Sequence, residues 1–208
     1  MNSRRLTHAA RWVGLAVAVA ALGCGPVTQF SNVWRSPKLE LGSMQKILVV
    51  AVAETPTGRR SFEDSFANEL KALKVEAVQS YFLLPSDGRL SRASLERVIA
   101  DKGFDGVIVT RLKRIDEETI VVPAEVVMVP SRGYYGYYHG GWDVVHTPGY
   151  TDTTTTVVLD TQLYDVASAE PVWGARSETL NPNSIDAAII SVTQALAKRL
   201  AHDQVVPE

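Results

Sequence analysis

Two stretches hold most of the reactive residue types in this sequence. The first is a lone thiol: Cys24 is the single cysteine in 208 residues. Alone it makes no internal disulfide, and a structural zinc site needs several thiolates or imidazoles, so the chemistry left to it is modification. The second stretch, residues 130–150 (PSRGYYGYYHGGWDVVHTPGY), gathers Tyr134, Tyr135, Tyr137, Tyr138, Trp142 and Tyr150 among five glycines. Such rings bring large apolar area, little side-chain entropy to lose and a polar edge. Tyr134, Tyr135, Tyr137, Tyr138 and Trp142 are therefore candidate partner contacts, for a glycan, a protein or a lipid headgroup layer. The plainer alternative is a mobile hairpin tip, since loops longer than about 15 residues are either functional or disordered.

Catalytic patterns are weaker. His139, Asp143 and His146 have metal-ligating side chains, but a glycine-rich backbone does not preorganise ligands, so neither metal nor cofactor is expected. Glu117, Glu118 and Glu125 supply carboxylates, and glycoside hydrolysis needs two across a cleft. As charges on exposed strand edges they discourage aggregation, which is the simpler role. Ser61, Ser65 and Ser80 lack a nucleophile-elbow context. The glycines at 133–141 precede no Gly-Lys-Ser/Thr, and Thr153–Thr156 reads as strand propensity on a wet face. Glu63 and Asp64 are neighbours in sequence, diverge around a helix and read as exposed helix charge. No catalytic residue is assigned and the protein is expected not to be an enzyme.

The surroundings of Cys24 explain its isolation. Residues 1–11 carry Arg4, Arg5 and Arg11 and no acid; residues 12–22 (WVGLAVAVAAL) are apolar; Gly23-Cys24-Gly25 follows. Basic start, apolar middle and small residues at the cut form the pattern of an export signal. Eleven residues rise about 16 Å as a helix, against a hydrocarbon core of about 30 Å, so the run is short for a membrane span. Ala21-Leu22-Gly23-Cys24 resembles the lipobox of bacterial lipoproteins, although the usual leucine stands three residues before the cysteine and here that place is Ala21. The resemblance implies removal of residues 1–23 and acylation of Cys24. Gly25 after it, where inner-membrane retention favours aspartate, implies the periplasmic side of the outer membrane. An ordinary cleaved signal and an uncleaved anchor helix are the alternatives. Losing the leader leaves 18 basic against 23 acidic residues, a formal charge of −5 where the whole chain has −2. That balance gives no electrostatic footprint for nucleic acid.

The elements that would position these residues follow from periodicity. Residues 24–45 read as lipidated terminus and linker, with Trp34 its one packing residue. Residues 46–203 read as a single α/β domain and 204–208 as a tail. KILVVAVA (46–53) is a buried strand, 59–73 a helix with Phe62, Phe66, Leu70 and Leu73 on one stripe, and 75–81 a second strand. Ser91 caps a helix, with Leu90 and Leu95 as its staple. Residues 105–112 form a third strand, 118–129 an extended segment interrupted by Pro123, 153–166 an alternating strand, and 171–180 a last strand. Asn183 caps a closing helix with Ile185, Ile189, Val192, Leu196 and Leu200 inward. The expected fold is one mixed sheet of about five to six strands with about three helices mainly on one face, in the order β-α-β-α-β-β-β-β-α.

Val33-Trp34-Arg35, Ile47–Ala51, Gly103-Phe104-Asp105 leading into Val107-Ile108-Val109, and Pro171-Val172-Trp173 together resemble uncharacterised envelope lipoproteins of Gram-negative bacteria. Over residues 33–203 their element order is similar to the α/β domains of the penicillin-binding-protein activator LpoB, the curli secretion lipoprotein CsgG and the amino-terminal domain of TolB. The resemblance implies a non-catalytic binding or assembly factor, anchored by lipid and facing the periplasm, with an envelope protein or its own copies as partner. The runner-up is an envelope hydrolase or metal-binding protein using His139, Asp143 and His146. A structural homo-oligomer is the third reading.

Overall fold

A computed structural model describes residues 27–84 and 92–207. Cys24, the leader, and the Ser91 cap with its leucine staple lie outside the described residues. The strands are β1 (Val27–Arg35), β2 (Lys46–Val52), β3 (Glu76–Gln79), β4 (Gly106–Val122), β5 (Glu125–Pro130), β6 (Trp142–Thr147), β7 (Tyr150–Asp165) and β8 (Pro171–Leu180). The helices are α1 (Pro56–Ala72), α2 (Arg92–Lys102), the single-turn α3 (Tyr134–Tyr138) and α4 (Ile185–His202). Six strands form a mixed sheet in the order β1-β8-β7-β4-β2-β3, and β5 with β6 forms a second, two-stranded sheet. Only β2 with β3 and β2 with β4 are parallel, as the two helical crossovers require.

Alternation along the central strands divides the core. Ile47, Val49, Ala51, Ile108 and Leu163 point to one face, where Phe62, Phe66 and Leu70 of α1 and Val192, Leu196 and Leu200 of α4 cover them. Leu48, Val50 and Val107 point to the other, against Phe104 and against Val98 and Ile99 of α2. Burying both faces is why β2 is almost wholly apolar. Two of the three longer helices share a face, in keeping with the expected architecture.

Two segments differ from the sequence reading. Within the expected linker, Val27–Arg35 is an edge strand paired antiparallel with β8. Its alternation was hidden by polar residues at an exposed edge and by a bulge between Ser31 and Trp34, where Asn32 takes a φ of 54°. Trp34 packs over Gly174; a Cβ there would lie 2.5 Å from its Nε1. The expected tail is also structural. Val205 and Val206 are buried in the core, and Gly42 and Met44 donate backbone hydrogen bonds to Gln204 and Val205.

Smaller shifts have local causes. Ser184, not Asn183, caps α4: its backbone is extended and its hydroxyl accepts from the Ala187 N–H at 3.0 Å. Ile185, the first residue of α4, is exposed. The third strand does not stop at Leu112 but continues to Val122, where Pro123 ends it.

Candidate functional site

Most of the exposed apolar surface lies on an arm built from the middle of the chain. β4 and β7 are 17 and 16 residues long, and both outrun their neighbours. The last β4 residue paired with β2 is Arg111, and the first β7 residue paired with β8 is Thr156. Beyond them the register continues from Glu117↔Thr155 to Val122↔Tyr150 as a two-stranded ribbon. Asn181 finishes the supporting edge: its side chain accepts from the Thr155 N–H at 2.8 Å, and its own N–H donates to the Thr155 carbonyl. Across the ribbon the hydroxyls of Thr119 and Thr153 share a hydrogen bond of 3.2 Å, the role of the threonine run.

At Pro123 the strands part and the arm continues as β5 and β6. Gly149 permits the crossing, since a Cβ would come within 2.7 Å of the Ala124 nitrogen and 2.8 Å of the Val122 carbonyl oxygen. The expected 130–150 loop is therefore ordered secondary structure: α3 followed by β6, with Pro130 opposite Trp142. Gly140, at a φ of +69°, turns the chain out of α3. The Val144-Val145 pair gives β6 its strand propensity, which the surrounding glycines obscured.

The tip exposes the candidate rings. Tyr134 is 81% exposed, Trp142 62%, and Tyr135, Tyr137 and Tyr138 lie between. Tyr134 and Tyr135 meet edge to face at 5.6 Å between centroids, as do Tyr138 and His139 at 5.3 Å. On one face of the hairpin Val126, Met128, Val144 and Trp142 are exposed; on the other, Val127 and Val145 are. Asp116, Glu117, Glu118 and Asp152 line the ribbon, Glu125 and Asp143 lie on the hairpin, and Arg132 is the only Lys, Arg, Asp or Glu in 130–142.

The structure separates the other candidates. Asp143 and His146 fall on opposite faces of β6, by strand alternation. Asp143 accepts from the Arg132 N–H at 3.2 Å, and His139 stands beyond α3. Among the described residues no group of three or more His, Cys, Asp or Glu side chains could hold a metal ion. Glu117 and Glu118 face opposite sides of the ribbon and Glu125 belongs to the second sheet, so no cleft lies between paired carboxylates.

One polar cluster escaped the sequence reading. Glu63 is wholly buried, not an exposed helix charge. Its Oε1 accepts from the Ala51 N–H at 3.0 Å, Arg59 Nε at 3.0 Å and Ser80 Oγ at 2.6 Å, and its Oε2 from the Tyr81 N–H at 3.0 Å. Arg59, one turn earlier at i−4, was the available signal. Next to it the Tyr81 hydroxyl donates to Asp64 at 2.6 Å. That bond, then burial and the Asp64 and Glu63 charges, pushes the phenol up to about 12. The Tyr81–Asp64 bond and the four bonds to Glu63 clamp α1 to the ends of β2 and β3.

Among the described residues no helix covers the opposite face of β7 and β8. There Asn32, Trp34, Asp160, Gln162 and Arg176 line a shallow depression. Burial works against ionisation of Asp160, but hydrogen bonds from Arg176 and Lys113 and their charges hold its carboxyl below the usual range. The pairing is intramolecular and leaves this face polar.

The arm and the amino terminus leave the sheet at the same end. Val27 of β1 pairs with Leu180 of β8, and Leu180 pairs with Thr156 of β7, the residue from which the ribbon departs. Cys24 precedes Val27 by three residues.

No protein-family model matches the chain, and no curated protein matches it. Among solved structures it is similar to the PelC dodecamer from Paraburkholderia phytofirmans, with 14% identity, a TM-score of 0.48, and coverage of 88% of this chain and 99% of that one. It is also similar to lipoprotein GNA1162 from Neisseria meningitidis, at 15% identity and a TM-score of 0.42, covering 76% and 98%. A PDZ domain protein from Parabacteroides distasonis gives 8% identity and a TM-score of 0.41, covering 91% of this chain and 40% of its own.

Proposed function

We propose that the protein is a lipid-anchored lipoprotein of the bacterial envelope, facing the periplasm from the outer membrane, that works by binding rather than by catalysis. The observation carrying this reading is the position of the only cysteine. It directly follows a basic-then-apolar leader and stands three residues before a strand built into the domain. The pattern resemblance of residues 33–203 to envelope adaptors points the same way. The arm, with apolar residues exposed along the whole distal hairpin, supplies a contact surface of the kind binding proteins use.

Fractionation of cells tests the anchor. The protein is expected in the membrane fraction and the Cys24→Ser variant in the soluble periplasm. A photo-crosslinker at position 142 then reports what the arm touches: adducts with an envelope component support the reading. Absence of adducts from both position 142 and position 128 removes the arm as the contact.

A homo-oligomer is a second reading, favoured by the outer edge of β1, which pairs with no strand among the described residues. Val27 and Ile190 are exposed beside it, and a groove lined by Val27, Thr28, Ile190, Gln194 and Lys198 runs between β1 and α4. An unpaired edge flanked by apolar side chains is a surface on which a second copy can add. Native mass spectrometry distinguishes the cases: a defined oligomer converted to monomer by Ile190→Glu supports self-association, and a monomer throughout removes it.

A further inference from the structure

Immersion in a lipid surface accounts for the arm better than a protein groove does. Apolar side chains are exposed on both faces of the β5–β6 hairpin, and the four tyrosines of α3 spread over the half of the turn away from Gly136. A groove on one partner covers one face of a two-stranded hairpin, whereas a headgroup layer surrounds it. Tyrosine and tryptophan are the side chains that partition to that layer.

Reach makes the same point. Three residues fully extended span at most about 10 Å, so an acyl chain on Cys24 holds that end of the sheet close to the bilayer. The six ribbon residues Tyr150–Thr155 extend about 20 Å at a strand's rise, before the hairpin begins. An arm longer than the tether, leaving from the same end, meets the membrane or lies along it. The charges fit this placement. Asp116, Glu117, Glu118 and Asp152 stay near the body, Glu125 and Asp143 lie on the hairpin, and the tip at 130–142 holds the aromatic rings with Arg132. Burying carboxylates among lipid is costly, so Glu125 and Asp143 limit the seat to headgroup depth, where Arg132 at the tip meets phosphate.

We propose that the arm is a second membrane attachment. In it the rings of Tyr134, Tyr135, Tyr137, Tyr138 and Trp142 seat in the headgroup layer of the same leaflet that holds the lipid on Cys24, with Val126, Met128 and Val144 nearer the body at the outer edge of that layer. The proposal rests on the lipoprotein reading of Cys24. It fixes what that reading leaves open: two attachments set the orientation of the domain and turn the polar face of β7 and β8 sideways, where a single acyl tether would let it swivel.

The test uses the chain from residue 24 onward with Cys24→Ser, which lacks acyl chains and keeps both core clusters. Vesicles contain phosphatidylethanolamine and brominated phosphatidylcholine. The expected result is flotation with the vesicles and bromine quenching of Trp142 emission, with the quenched component missing in Trp142→Phe. Replacing Tyr134, Tyr135, Tyr137 and Tyr138 with serine is expected to lower partitioning at least about tenfold with unchanged far-ultraviolet circular dichroism. A soluble chain whose emission is unaffected by bromine overturns the proposal. So does vesicle-independent dimerisation abolished by the same four serines, which assigns the arm to a second copy. Palmitate labelling of the unaltered protein reads the anchor separately: labelling without quenching removes the arm attachment alone, and quenching without labelling removes the anchor alone.

Discussion

Glu63 accepts from four donors with no access to water, and removing it would leave the Arg59 guanidinium buried and unpaired. Breaking such a pair costs about 3–5 kcal/mol. Glu63→Ala is therefore expected to lower the unfolding free energy by about that amount in denaturant titration, and Arg59→Met with Glu63→Leu to restore part of it. At the opposite end of the fold Asp203 accepts from Trp173 Nε1 and Arg199 Nε, each at 2.9 Å. Burial opposes its ionisation, but the bonds from Arg199, Trp173 and His202 prevail and hold its carboxyl below the usual range. A carboxyl with a depressed folded pKa adds stability that is present above its unfolded value of about 3.9 and lost as pH falls through the folded one. Asp203→Asn is thus expected to lower Tm at pH 7 and to make progressively less difference below about pH 4. A gap that persists undiminished at pH 2 contradicts the assignment. At this scale the sequence was least legible: adjacency of Glu63 and Asp64 suggested two exposed charges, and only the fold brings Ser80 and the Tyr81 N–H to the first of them.

The arm is an element whose stability is borrowed. β5 pairs with β6 alone, and a two-stranded hairpin is marginal in water. Removing residues 123–149 and joining Val122 to Tyr150 through an Asn-Gly turn is expected to shift Tm by only a few degrees, since neither buried cluster contains a residue from that segment. Loss of the cooperative transition would show the arm to be part of the core instead. Gly149→Val, by contrast, is expected to unpair the hairpin from the ribbon and raise amide exchange in β5 and β6 without affecting β2. Elements with strong periodicity were legible beforehand: β2 as a continuous apolar run, α1 and α4 as stripes, β7 as an alternation. β1 and β6 were not. One lies on a solvated edge with a bulge and the other between glycines, so neither shows the pattern that burial imposes.

For the molecule as a whole, the arrangement of ends matters most. A six-stranded sheet with helices on both faces sends its amino terminus and its arm out of one end, and keeps its polar face of β7 and β8 to the side. On the proposed reading, removal of the leader leaves an acidic chain, and contact with a lipid surface would depend on acyl chains and aromatic rings rather than on attraction to anionic headgroups. Each buried methylene contributes about 0.8 kcal/mol, so several acyl chains on Cys24 would be a lasting anchor and the proposed arm contact an orienting one. The proposed anchor rests on acylation of Cys24. Mass spectrometry of the intact protein extracted from membranes reads that directly. The account predicts a chain beginning at residue 24 and heavier than its sequence by a diacylglyceryl group and an amide-linked acyl chain. A mature protein of unmodified mass, or one that still carries residues 1–23, contradicts it.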